Sequence, residues 1–142
     1  MLANLPMTVC PTCKRRILVV DDDTLVCQTV TMLLAFQGHQ ADGASSAEEA
    51  LALFQPGKFD VVITDFFMPK MTGGDLAIAI KDRAPGQPVV LLTAYAERFR
   101  SPAQKLSGVD LVMDKPAPME DLNEAVTRFA PVQNSESGAP KK

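Results

Sequence analysis

The chain has 142 residues, 46% of them hydrophobic and 22% charged, with a net charge of −3 and a pI near 5.1. That size suits one domain with a sizeable core, and the acidic balance lacks the basic surface that marks nucleic-acid partners. No apolar run approaches the roughly 18 residues of a membrane span, and the opening MLANLPMTVCPTCKRR has no apolar stretch of the secretory kind; a cytoplasmic protein with no direct nucleic-acid or membrane partner is expected.

Residues 1–14 read as a flexible extension leading into the basic run Lys14-Arg15-Arg16, residues 15–130 as the folded domain, and PVQNSESGAPKK (131–142) as a disorder-prone tail. Cys10 and Cys13 make half of a four-ligand zinc set, but no second pair or histidine follows, so free thiols in a reducing compartment are expected. Ile17-Leu18-Val19-Val20 is a continuous apolar run, the signature of a strand covered on both faces, and it stops at Asp21-Asp22-Asp23. Asp23 then suits a helix N-cap. The helix runs through Gln37 with Val26, Val30 and Leu33 at helical spacing, and Gly38 ends it. His39 to Ala44 is a weak strand candidate, with His39 expected at the surface. Ser46-x-x-Glu49 makes a capping box for a helix whose Ala47, Ala50, Leu51 and Phe54 share a face.

Val61-Val62-Ile63 forms a second buried strand and delivers Asp65 to its carboxyl end. Thr72-x-x-Asp75 caps a helix with Leu76, Ala79 and Ile80 inward. Val89-Val90-Leu91-Leu92 is a further buried strand, ending at Thr93. Pro102 breaks any helix over 97–106, leaving a short helix capped by Ser101 and a segment expected to be mobile. Val109 to Met113 is the last strand, closing at Asp114-Lys115-Pro116, and Pro118 opens a helix with Leu122, Ala125, Val126 and Phe129 inward. Strand and helix alternating five times predict an α/β fold, a parallel sheet in a three-layer αβα sandwich.

In such a sheet the strand ends share one edge, where open α/β folds keep their ligands. Asp21, Asp22, Asp65, Thr93 and Lys115 therefore converge. Three carboxylates repel one another, and a hard divalent ion such as Mg2+ relieves that repulsion while keeping part of its shell for water or phosphate oxygens. Thr93 and Lys115 complete a site for a tetrahedral oxyanion, and Asp65 is free to act as a nucleophile forming an aspartyl phosphate.

The residues VVDDD, TDFFMP, LLTA and DKP, in this order across about 16–130, resemble those of the receiver domains of two-component response regulators. The resemblance implies a flavodoxin-like, doubly wound five-stranded sheet with five helices, phosphorylated by a sensor histidine kinase or phosphotransfer protein. It implies Asp65 as phosphoacceptor, Asp21, Asp22, Asp65 and the backbone carbonyl of Phe67 around Mg2+, Thr93 and Lys115 on the phosphoryl oxygens, and a cis Lys115–Pro116 bond. It also implies a signalling unit with no external substrate, whose fourth helix, fifth strand and fifth helix face a downstream protein, with a homodimer as a further option. A stand-alone receiver is the expectation, since no output domain follows residue 130.

Two departures carry consequences. The family usually has Tyr or Phe three residues before the lysine, where this chain has Val112; Tyr95 or Phe99 is left to serve the relay from Thr93. Phe67 and Tyr95 stand where relatives often have polar groups, and two rings there would obstruct an attacking water and prolong the phosphoryl state. Two rival readings remain: a receiver-like interaction module that never uses phosphate, and a haloacid-dehalogenase-like phosphatase. The second rests on Asp21-Asp22-Asp23-Thr24, in which the Thr comes one place too early for that motif. His39 is the only histidine, so a phosphodonor must come from outside the chain.

Overall fold

Ile17-Leu18-Val19-Val20 and Val61-Val62-Ile63 have no polar face, so strands built from them must be covered on both sides. A computed structural model describes residues 14–130 and shows that arrangement. Strands β1 (Arg16–Val20), β2 (Gln40–Ala44), β3 (Val61–Thr64), β4 (Val89–Thr93) and β5 (Leu111–Asp114) alternate with helices α1 (Thr24–Phe36), α2 (Ala47–Leu53), α3 (Gly73–Arg83), α4 (Ala96–Arg100) and α5 (Met119–Thr127). All pairings are parallel, in the order β2-β1-β3-β4-β5. The order reverses between β1 and β3, and that reversal opens a crevice at the carboxyl edge.

Side-chain alternation along the strands divides the core into two layers. Leu18, Val20 and Val62 pack with Ala47, Ala50, Leu76 and Ile80 under α2 and α3. Ile17, Val19, Val61, Ile63, Val90 and Leu92 pack with Val30, Leu34, Leu122 and Val126 under α1 and α5. The expected caps are in place: Asp23 accepts from the N–H groups of Leu25 and Val26, and Ser46 from that of Glu49. Thr72 and Asp75 form a reciprocal capping box. Gly38, at φ +94°, ends α1 in the left-handed region that favours glycine. Ser101 and Pro102 open a single 3-10 turn, Pro102–Gln104, after a five-residue α4. The helix rotation of α3 differs slightly from expectation, since Ala77 is fully buried and Ala79 only half-buried. The extension before residue 14, with Cys10 and Cys13, and the tail from 131 lie outside the described residues. No helix among them is long and apolar enough to cross a membrane.

One expectation is corrected. His39 is buried, with 6% of its surface exposed. Its Nδ1 accepts from the N–H of Arg15 at 2.9 Å, so Nε2 carries the proton and donates to Asn123 Oδ1 at 2.7 Å. The Arg15 guanidinium caps the end of α5 through the carbonyls of Thr127 and Phe129. A polar residue before a weak strand carries no sign of this pairing, because its partners lie at distant sequence positions. Replacing His39 with Ala leaves a buried N–H without its acceptor, so thermal unfolding should show a loss of about 1–3 kcal/mol. Unchanged stability would contradict the pairing.

Candidate functional site

The hydrogen-bond ladders of the sheet run on into the residues that end the strands. Asp21 N–H donates to Ala44 O at 3.1 Å, Asp65 N–H to Val20 O at 3.0 Å, and Lys115 N–H to Thr93 O at 3.0 Å. Each functional backbone is thus tied to its neighbouring strand, and the side chains inherit the rigidity of the sheet. Gly73 adds a constraint from below. Its N–H donates to Phe66 O at 2.9 Å, and a side chain at this position would strike the Asp65 carbonyl. The sequence pairs Gly73 with Gly74 as a helix opening, but the close approach of α3 to the Asp65 backbone is a tertiary fact.

Lys115 joins the cluster. Its Nζ lies 2.7 Å from Asp21 Oδ2 and 3.5 Å from Asp65 Oδ1. Asp21, Asp22 and Asp65 each offer a carboxylate oxygen within 4.8 Å of the others, with Asp22 the solvent-exposed member. These hard oxygen donors, gathered around a partly open mouth, fit Mg2+. The carbonyls of Asp65 and Phe66 are engaged by Thr64 Oγ1 and Gly73 N–H. Among the described residues, no hydrogen bond of this kind engages the Phe67 carbonyl, expected as a further ligand. Thr93, fully buried, ends β4 at the same edge, and its Oγ1 accepts from the N–H of Tyr95 at 3.2 Å. The Asp23 side chain caps α1, while its N–H donates to Asp21 Oδ1 at 2.9 Å. The Lys115–Pro116 bond is cis, as the resemblance implies.

Four rings pack in a chain. Phe66 lies 4.7 Å from Phe99 and 4.8 Å from Phe67, which meets Tyr95 edge-on at 5.3 Å; the Arg98 guanidinium sits over Phe67 at 5.9 Å. Phe67 and Tyr95 are 44% and 57% exposed.

Burial pushes the Asp65 carboxyl above its ordinary value; the Lys115 charge opposes the rise and Asp21 adds to it. Burial also works against the Lys115 ammonium, but its hydrogen bond to Asp21 and the nearby carboxylate charges outweigh that and hold it above the usual lysine value. Folded Asp65 therefore binds its proton more tightly than unfolded Asp65, and its ionisation removes stability as pH rises through and above the ordinary carboxylate range. Without divalent cations, Asp65→Asn should melt higher than wild type at pH 7, with the gap shrinking as pH falls below that range. A variant that melts lower at pH 7 would contradict this.

Residues 17–127 match the model of the response regulator receiver domain. The chain is 32% identical to the probable transcriptional regulatory protein TcrX of Mycobacterium tuberculosis, over 87% of this chain and 54% of that one. It is 34% identical to the regulatory protein AtoC of Escherichia coli, over 87% of this chain and 27% of that one. The chain thus spans about half or less of these curated relatives. Among solved structures, a receiver domain protein from Clostridium thermocellum superposes with a TM-score of 0.73 at 33% identity, covering 80% of this chain and 91% of that one. TrrA of Thermotoga maritima, in complex with Mg2+ and BeF, gives 0.72 at 33% identity, covering 80% and 97%. The fold is the flavodoxin-like one of these neighbours, and the chain belongs to the family of response regulator receiver domains of two-component systems.

Proposed function

We propose that Asp65 accepts a phosphoryl group from a sensor histidine kinase or phosphotransfer protein, in a Mg2+-dependent step, and that this switches a protein-binding surface in the cytoplasm. The bridge from Lys115 to both Asp21 and Asp65 carries the reading. An ammonium shared by two carboxylates supports it, since phosphoryl oxygens on Asp65 would replace one of those partners. In the transfer, an Asp65 oxygen forms the new P–O bond while the P–N bond of a phosphohistidine breaks, and the imidazole leaves as the neutral ring after taking up a proton. Mg2+, held by Asp21, Asp22, Asp65 and the Phe67 carbonyl, would neutralise phosphoryl charge. Lys115 orients the phosphoryl oxygens. Thr93 exchanges the Tyr95 N–H for a bond to one of them, so its loop moves and biases the equilibrium between two surfaces.

An external donor is supported by His39, whose two ring nitrogens are both engaged inside the domain. The complex of TrrA with Mg2+ and BeF supports the same chemistry in a relative. The face formed by α4, β5 and α5 suits output: β5 is an edge strand, and Leu111, Val112 and Met113 are only half-buried. The phosphatase reading is weakened by Thr24, which follows Asp23 one place too early for that motif.

Intact mass after incubation with Mg2+ and acetyl phosphate should show one base-labile phosphoryl adduct on wild type and none on Asp65→Asn. An adduct on Asp21 would favour the phosphatase; no adduct, with no response to Mg2+ and beryllofluoride, would favour a phosphate-independent module. The exposed rings of Phe67 and Tyr95 shield the acyl phosphate from water, so Phe67→Asn and Tyr95→Glu should each shorten its lifetime several-fold. Unchanged lifetimes would sink the shielding.

A further inference from the structure

Of the five α-helices, α1 alone carries no charged side chain; TLVCQTVTMLLAF runs from Thr24 to Phe36 without one, whereas each of the others has at least two. A helix on a protein surface ordinarily turns charged and polar residues outward. Here Leu25, Thr29, Met32 and Phe36 follow one another at helical spacing, on the face opposite the buried Cys27, Val30 and Leu34. Leu25, Met32 and Phe36 are 72%, 65% and 77% exposed, the three most exposed large apolar side chains among the described residues. At its start the stripe borders a cleft of about 430 Å3 between α1 and the loop after β5, walled by Leu25, Val26, Leu33, Leu92 and Pro116. Lys115 is the only charged residue that lines it. At its end α1 reaches the amino edge of the sheet, where His39 donates its N–H to Leu34 O and accepts from the N–H of Arg15. The chain therefore enters the domain, at the exposed Lys14, beside the end of the stripe. The preceding residues 1–13, MLANLPMTVCPTC, also hold no charged side chain, and Leu2, Leu5, Met7 and Val9 make them apolar.

We propose that residues 1–13 lie along the outer face of α1 as an extended strap, covering Phe36 and Met32 and ending in the cleft beside Lys115. Length permits it. The helix is about 20 Å long at its rise per residue, and a fully extended segment of this size reaches up to about 43 Å. Pro6 and Pro11 oppose a helix and favour extended backbone before them. Attachment decides between occupants. A segment tethered at the end of the stripe meets it at an effective concentration in the millimolar range, well above that of a second copy in dilute solution. Two uncharged surfaces also bring no like charges together and leave no buried ion unpaired. The strap covers the wall that Lys115 and Ala94 share with α1, so a protein coming to Asp65 across that helix has to displace it.

The test is paramagnetic broadening of amide signals in the full chain, with Cys10 and Cys13 replaced by Ser and a nitroxide on Asn4→Cys. Cys27 is buried, and intact mass confirms a single label. The signals of Leu25, Val26 and Ala117 should broaden several-fold more than those of Gly73 to Ala77, which start α3 on the other face of the sheet. Leu5→Ser with Met7→Ser on the segment, and separately Met32→Glu with Phe36→Glu on the helix, should each abolish that difference. Thermal unfolding checks that each variant is folded, and the segment pair alone decides if the helix pair is not. Broadening that is absent, or equal on both faces, overturns the proposal, as does a difference that survives the segment substitutions. Mixing the nitroxide-bearing chain with an isotope-labelled copy that lacks the nitroxide separates the occupants. Broadening carried to that copy means that the stripe binds another chain, and it overturns the strap as well.

Discussion

The ammonium of Lys115 between Asp21 and Asp65 is the contact on which the rest of the site depends. Two like charges roughly 4 Å apart cost about 4 kcal/mol at the effective dielectric of a protein surface, and three carboxylates crowd this edge. At Asp65 the Lys115 charge opposes the repulsion from Asp21, and burial is the main reason that carboxyl is raised. With all four groups ionised the cluster sums to −2, the charge a divalent cation neutralises. That residual negative charge on hard oxygen donors is what suits the cluster to a divalent cation.

Holding such a cluster together needs a scaffold stiffer than the repulsion. The parallel sheet supplies it by ending β1, β3, β4 and β5 at one edge and extending its backbone ladders into Asp21, Asp65 and Lys115. Gly73 lets α3 approach the Asp65 backbone closely enough to brace it from beneath. The opposite edge of the sheet carries its own polar tie, where Arg15 and His39 fasten β1 and β2 to α5. Against this rigid frame α4 stands out as the lightly held piece, and it lies beside the site.

The buried strands were legible because uninterrupted runs such as Val61-Val62-Ile63 admit few other structures, and the helix starts because Asp23, Ser46 and Thr72 cap by local chemistry. The site was legible for the same reason: a strand-end residue needs no tertiary knowledge to be placed at an edge. What the sequence hid depends on distant partners. His39 looked like a surface residue because Asn123 and Arg15 are its neighbours only in space. The rotation of α3 that buries Ala77 and the role of Gly73 arise from packing, which no local pattern encodes. The ring chain from Tyr95 to Phe99 spans two loops and was visible only as separate residues.

The most direct test is a calorimetric titration of wild type and Asp22→Asn with Mg2+ at neutral pH. One ion per chain should bind to wild type, and the variant should bind it at least about tenfold more weakly. A wild type that binds no Mg2+, or a variant that binds it equally well, would contradict the view that the strand-end carboxylates are held in repulsion for a cation.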